Sequence, residues 1–135
     1  MGLILSKVAA DSLLVWEPVY ERIITARFAS KCQNMSKIGN NNTDLETFMG
    51  QQGLGSMNEN GEILADFCTS NDIVIGGTIF PHKPCHKGTW RSPDARTENQ
   101  IGHITINRRW RSSLQDVRVR RGADEGSDHH LVDAH

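Results

Sequence analysis

Residues 58–78, NENGEILADFCTSNDIVIGGT, decide the fold class. Ile63, Leu64, Phe67 and Cys68 recur at i, i+1, i+4 and i+5, one face of a 3.6-residue helix, with Asn58 or Asn60 available as N-cap. The β-branched run in DIVIGGT follows at once and is stopped by two glycines, which predicts a short buried strand. A helix leading straight into a buried strand excludes an all-α or all-β chain.

Downstream, GTWRS, NQIGHITI, LQDVRVRRG and HHLVDA give three or four strand candidates separated by turn residues. The fold class is therefore α+β, with a largely antiparallel sheet. Upstream, VWEPVYERIITARF (15–28) predicts one strand with Ile23, Ile24, Ala26 and Phe28 on it, entered after Pro18. Between them, residues 29–61 are crowded with Asn and Gly and carry no sustained period, so they read as a long irregular connection. Loops of that length are uncommon in compact domains, and point either to a functional loop or to a missing piece.

A chain of 135 residues predicts one domain with a real core. Its formal net charge of -1 excludes global attraction to nucleic acid or membrane, so a claim of either must rest on a local patch. No apolar run approaches the roughly 20 residues of a membrane span, and no membrane partner is expected. Cys32, Cys68 and Cys85 are odd in number without C-x-x-C spacing, which favours a reducing, intracellular setting, nuclear or cytoplasmic. MGLILS fits an acylation pattern, but no polybasic stretch supplies a second membrane signal; Lys7 and Asp11 interrupt any signal-peptide core. The N-x-[ST] sequons at Asn34 and Asn41 read as chance, and nothing specifies an oligomeric state.

Three constellations carry possible chemistry. Six arginines lie between Arg108 and Arg121, and Val117 and Val119 alternate with Arg118 and Arg120. On a strand that pattern buries the valines and gathers the guanidinium groups on the open face, either as a phosphate-facing stripe or as a solvated surface. His82, Cys85 and His86 in HKPCHKG invite a zinc reading, but no second ligand pair follows, and an exposed loop is expected instead. Asp128 and His129 in GSDHHLV are the residue types that metal-assisted phosphodiester hydrolysis uses, a carboxylate for an ion and an imidazole for proton transfer. Such a histidine also needs a carboxylate on its other nitrogen to fix tautomer and ring angle.

From about Lys37 onward, Thr89-Trp90, the strand NQIGHI and GSDHHLV stand in an order and spacing that closely resemble the apurinic/apyrimidinic-type endonuclease domain of non-long-terminal-repeat retrotransposons, in its craniofacial development protein 2-like form. VYERIITARFASKCQNM resembles an earlier strand of the same domain. The resemblance implies membership of the endonuclease/exonuclease/phosphatase superfamily, a DNase I-like α/β/β/α sandwich, Mg²⁺ as cofactor and DNA as partner. It makes His129 the acid/base residue and Asp128 the carboxylate at metal and scissile phosphate. Thr89, Trp90 and Arg91, with Arg109, Arg118 and Arg120, become candidate nucleic-acid contacts.

The departures are as specific as the match. The family's N-Q-I-D-H-I strand supplies an Asp that pairs with the histidine, and Gly102 occupies that position. The family's G-D-x-N-A-K motif holds phosphate and metal-bound water, and here Gln33 and Met35 stand where its Asp and Asn belong. The sequence reads as a join across a deletion: a single truncated domain, with 1–35 an N-terminal remnant bearing one strand and 36–135 the C-terminal part, missing at least one central strand and the metal-binding Glu. The expectation is a degenerate, inactive relative of a Mg²⁺-dependent DNA endonuclease. The alternatives are a non-catalytic nucleic-acid-binding module using the arginine strand, or a fragment without function.

Overall fold

The computed structural model describes residues 4–5, 7–20, 23–28, 35–122 and 130–135. The helix predicted from the opening stretch is α2, Glu59–Ser70, preceded in the chain by α1, Lys7–Ser12. Asn58 caps α2: its Oδ1 accepts the N–H of Gly61 at 2.9 Å, satisfying one of the donors a helix start leaves free. The same oxygen accepts the N–H of Lys37 at 3.0 Å, and its Nδ2 donates to the Met35 carbonyl at 3.1 Å. One asparagine thus starts the helix and docks the incoming chain on it. Leu64, Ala65, Phe67 and Cys68 are buried, while Ile63 is half-buried at the margin of the face.

The short β-branched run is strand β3, Ile73–Ile75, with all three residues buried. It joins a four-stranded antiparallel sheet with β1, Leu13–Tyr20, β2, Ile23–Phe28, and β6, Thr105–Asn107, in the order β1-β2-β6-β3. Two strands therefore stand where the sequence predicts one. Pro18 lies inside β1 rather than before the strand, and β1 is the outermost strand of the four, where an absent N–H interrupts no ladder on the open side. The remaining strands form two separate ladders: β4, Trp90–Arg91, with β5, Glu98–Asn99, and β7, Val117–Arg120, with β8, Leu131–Ala134. The class is α+β, a helix with small antiparallel sheets.

The Asn/Gly-rich connection is irregular but not loose. Ile38 and Met49 are among the most buried side chains and pack with Leu64, Phe67, Cys68, Ile73 and Ile75 into one core cluster. Phe48 accepts the N–H of Ile75 at 2.8 Å, and the buried Thr78 hydroxyl accepts the N–H of Gly50 at 2.9 Å while donating to the Ile75 carbonyl at 2.7 Å. The backbone groups a loop would leave bare are thereby paired.

Gly61 allows this docking. A Cβ there would stand 1.8 Å from the Lys37 carbonyl oxygen, against a backbone that cannot move aside. Glycine to alanine inside a helix normally stabilises by about 1 kcal/mol. Here Gly61→Ala is expected to reverse that sign and destabilise by about 1–3 kcal/mol through overpacking, read as a lower denaturant midpoint.

Candidate functional site

Thr89, at the mouth of β4, is the node of the site. It is 3 % exposed, and its hydroxyl oxygen accepts the N–H groups of Ile101 and Gly102, each at 2.8 Å, while donating to the Asn99 carbonyl at 3.4 Å. Its backbone carbonyl accepts the N–H of His130 at 2.7 Å. One side chain and its own peptide thus fix three stretches: the start of β4, the segment 99–102, and the residue that leads into β8. Gln100 is also buried and clamps two further turns, accepting the N–H of Leu54 at 3.0 Å and donating to the Gly77 carbonyl at 3.2 Å.

Gly102 lies against this node. A Cβ on it would meet the Thr89 side chain at 3.4–3.6 Å, ordinary van der Waals contact, and its backbone is outside the left-handed region. Beside it is a cavity of about 10 Å³, room for a single water, lined by Gly77, Thr89, Gln100, Gly102, Val117 and Val132 among others. The fold leaves space for a Cβ at 102 and does not require glycine. Gly102→Ala is expected to be neutral or to stabilise by about 0.4–1 kcal/mol, the opposite of Gly61→Ala, and parallel melts of the two variants check the contrast.

Asp128, His129 and Gln33 lie outside the described residues. Met35 is described, and its carbonyl accepts the side-chain amides of Asn58 and Asn60. Of the candidate nucleic-acid contacts, Thr89 is internal and its hydroxyl is used within the fold, because the strand ends around it leave N–H groups that need an acceptor. Trp90 is half-buried in β4; Arg91 is exposed beside Glu98 at 3.9 Å. Arg109 stands on the 3₁₀ helix Arg108–Ser113 with its guanidinium 5.3 Å from the Trp110 ring centre, a cation–π distance. Arg118 and Arg120 project from the open face of β7 while Val117 and Val119 are buried, as their alternation predicts.

Two features escape a reading of sequence alone. His82 bonds Asp116 through Nε2 at 2.6 Å, across 34 positions, and Asp116 also takes the Arg118 guanidinium. Burial pushes the Asp116 carboxyl up, and the hydrogen bonds and charges of His82 and Arg118 outweigh it, leaving its pKa below the usual value. His103 donates from Nε2 to the Ser36 carbonyl at 2.7 Å, and its Nδ1, sealed from solvent, has no partner among the described residues. Desolvation lowers the His103 pKa, against the raising effect of the Ser36 bond. The imidazole is therefore neutral in the fold. An unfolded chain binds a proton as pH falls through about 6.5, and folded His103 resists it, so stability is lost on going from pH 7.5 to 5.5. His103→Gln, which keeps a donor for Ser36, is expected to flatten that dependence in denaturant midpoints measured at the two pH values.

Among the described residues no three His, Cys, Asp or Glu side chains converge on a point where a cation could sit. His82 and His86 face each other edge-on at 6.5 Å, and Cys85 offers its carbonyl to Arg121 at 2.7 Å. Nor is any helix among these residues long and apolar enough to cross a membrane.

The chain is similar to part of craniofacial development protein 2. Over 97 residues, 72 % of its length, it is 43 % identical to the protein of that name from Tragulus javanicus, and over the same length 42 % identical to that from Bos taurus. The matched stretch is 17 % and 16 % of those proteins, so the chain spans about a sixth of the curated relatives it matches. No family model and no solved structure matches it.

Proposed function

We propose that the chain is a degenerate segment of a phosphodiester-hydrolysing DNA endonuclease domain of the retrotransposon type, built as part of a DNase I-like sandwich, and that it does not itself cut DNA. The observation that supports this most is the Gly102–Thr89–His130 node. The Thr89 carbonyl holds the residue directly after Asp128-His129, and the Thr89 hydroxyl holds Gly102, the position where the resemblance expects the carboxylate that orients His129. With glycine there, nothing at 102 fixes the imidazole tautomer or stabilises an imidazolium.

In the ancestral scheme Asp128 stands beside the scissile phosphate and His129 takes a proton from the attacking water. Loss of the orienting carboxylate alone lowers turnover by about 10⁴-fold in the best-known hydrolytic triad. Gln33 and Met35 add two further departures from the family's phosphate- and water-holding pair. Mg²⁺, which the resemblance implies, has no ligand cluster among the described residues.

Supercoiled plasmid incubated with the full chain and Mg²⁺ is expected to stay supercoiled, with chelator and His129→Ala samples indistinguishable from the untreated protein. Nicking at ordinary enzyme concentration that both chelator and His129→Ala abolish would sink the proposal.

A second reading, a non-catalytic nucleic-acid-binding module, is favoured by the outward pair Arg118 and Arg120 on β7. It expects affinity for DNA to fall linearly in log salt, with a slope that Arg118→Ala and Arg120→Ala each reduce by about one. Salt-insensitive binding, or none, removes it.

A further inference from the structure

The loop 82–87, which carries His82, Cys85 and His86, folds against β7. The 3₁₀ helix Pro84–His86 lies within it. Two bonds dock it: His82 Nε2 to Asp116 at 2.6 Å, and Arg121 Nε to the Cys85 carbonyl at 2.7 Å. Between the loop and the outer face of β7 runs an open groove, formed of two depressions that share His86 and Arg118. Lys83 and His86 line one wall; Arg118, Arg120 and Arg121 line the other, with His135 at one end. No acidic residue lines either depression.

The acids stand behind the arginines. Asp116 holds Arg118 at 2.5 Å, Asp133 holds Arg120 at 2.6 Å, and Glu98 holds Arg121 at 2.6 Å. In each pair the carboxylate is the less exposed member, at 17–28 %, and the guanidinium the more exposed, at 36–56 %. Exposed pairs of this kind add little to stability, about 0–1 kcal/mol. Their effect is on direction: each carboxylate engages one edge of a five-donor fork and aims the rest at the groove. Arginines two apart on one strand face lie about 6.7 Å apart, close to the separation of neighbouring phosphates along an extended strand.

We infer that this groove is a preformed binding site for a linear run of phosphate groups, with Arg118 and Arg120 engaging successive phosphates and Lys83 and His86 closing over them from the opposite wall. It deepens the binding reading and rests on it for the outward arginines; the second wall is the new element. The groove shares His86 and Arg118 with the lining of the small cavity beside Thr89 and Gly102, and it needs no cleavage chemistry. A polynucleotide backbone and inorganic polyphosphate share this chemistry.

The test is fluorescence anisotropy of a labelled single-stranded DNA oligonucleotide with the full chain at increasing salt. Inorganic polyphosphate, orthophosphate and polyglutamate serve as competitors. Arg120→Gln is expected to weaken binding about tenfold, the loss of one charge-assisted hydrogen bond. Lys83→Gln and His86→Gln should weaken it several-fold, and Arg96→Gln, on an exposed turn outside the groove, should leave it unchanged. Lys83 and His86 are exposed, so these variants keep the fold, which a melt verifies. Competition by polyphosphate but not by orthophosphate or polyglutamate supports the site, and DNA binding without it assigns the groove to polynucleotides alone. If Arg118→Gln and Arg120→Gln weaken binding while Lys83→Gln and His86→Gln do not, the groove is refuted and the arginine stripe stands. If none does, or if polyglutamate competes as well as polyphosphate, both fall.

Discussion

The Thr89 hydroxyl accepts two backbone N–H groups and donates to a carbonyl, using one donor and both acceptor sites of a single oxygen. Everything placed around the candidate site depends on it. Segment 99–102 has no ladder of its own beyond the two residues of β5, so its next N–H groups require an acceptor, and only a short side chain at the mouth of β4 supplies one. Leaving two part-buried N–H groups unpaired costs at most about 1–3 kcal/mol each, which still matters to a small domain. The Thr89 carbonyl then sets where β8 begins, because it holds the N–H of His130. A residue that the sequence suggests as a ligand contact thus serves the site by fixing the spacing of the chain segments around it.

β7 is the second organising element, and its two faces have separate physical roles. Val117 and Val119 face inward, Val117 within reach of the position where a Cβ on Gly76 would stand. The outward arginines are directed by Asp116, Asp133 and Glu98. The chain's near-zero net charge hides this arrangement, since the same acids that cancel the arginines in a count are the ones that orient them in space. Charge distribution, not charge total, is the relevant quantity.

Helix α2 and strand β3 are legible from residues 58–78 because capping, periodicity and turn glycines agree over a short range, and local agreement is what a sequence displays. The alternation in β7 is legible for the same reason. Ile38 and Met49 are not, because each is an isolated apolar residue in an Asn- and Gly-rich stretch and its burial is conferred by partners far away: Leu64, Phe67 and Ile75. The spacing of Leu45, Phe48 and Met49 is the one local hint that this stretch packs. The bond between His82 and Asp116 spans 34 positions and has no periodic signature; it exists because the loop 82–87 returns to the edge of β7. The antiparallel pair β1 and β2 has the sequence appearance of one strand because no Gly, Asn or Pro marks a turn between Tyr20 and Ile23.

Two glycines separate a position where packing requires glycine from one where it does not. At Gly61 a side chain would occupy the space of the Lys37 carbonyl, so glycine there is a packing requirement. At Gly102 the backbone is ordinary, the nearest atoms leave van der Waals room, and the interaction that holds the segment uses the residue's N–H, which any amino acid but proline carries. Any residue but proline at 102 can therefore make this bond, and the Thr89 node does not depend on glycine there. Glycine at this position therefore costs at most about 0.4–1 kcal/mol of chain entropy, and the hydrogen bonds of the node do not depend on which side chain stands there.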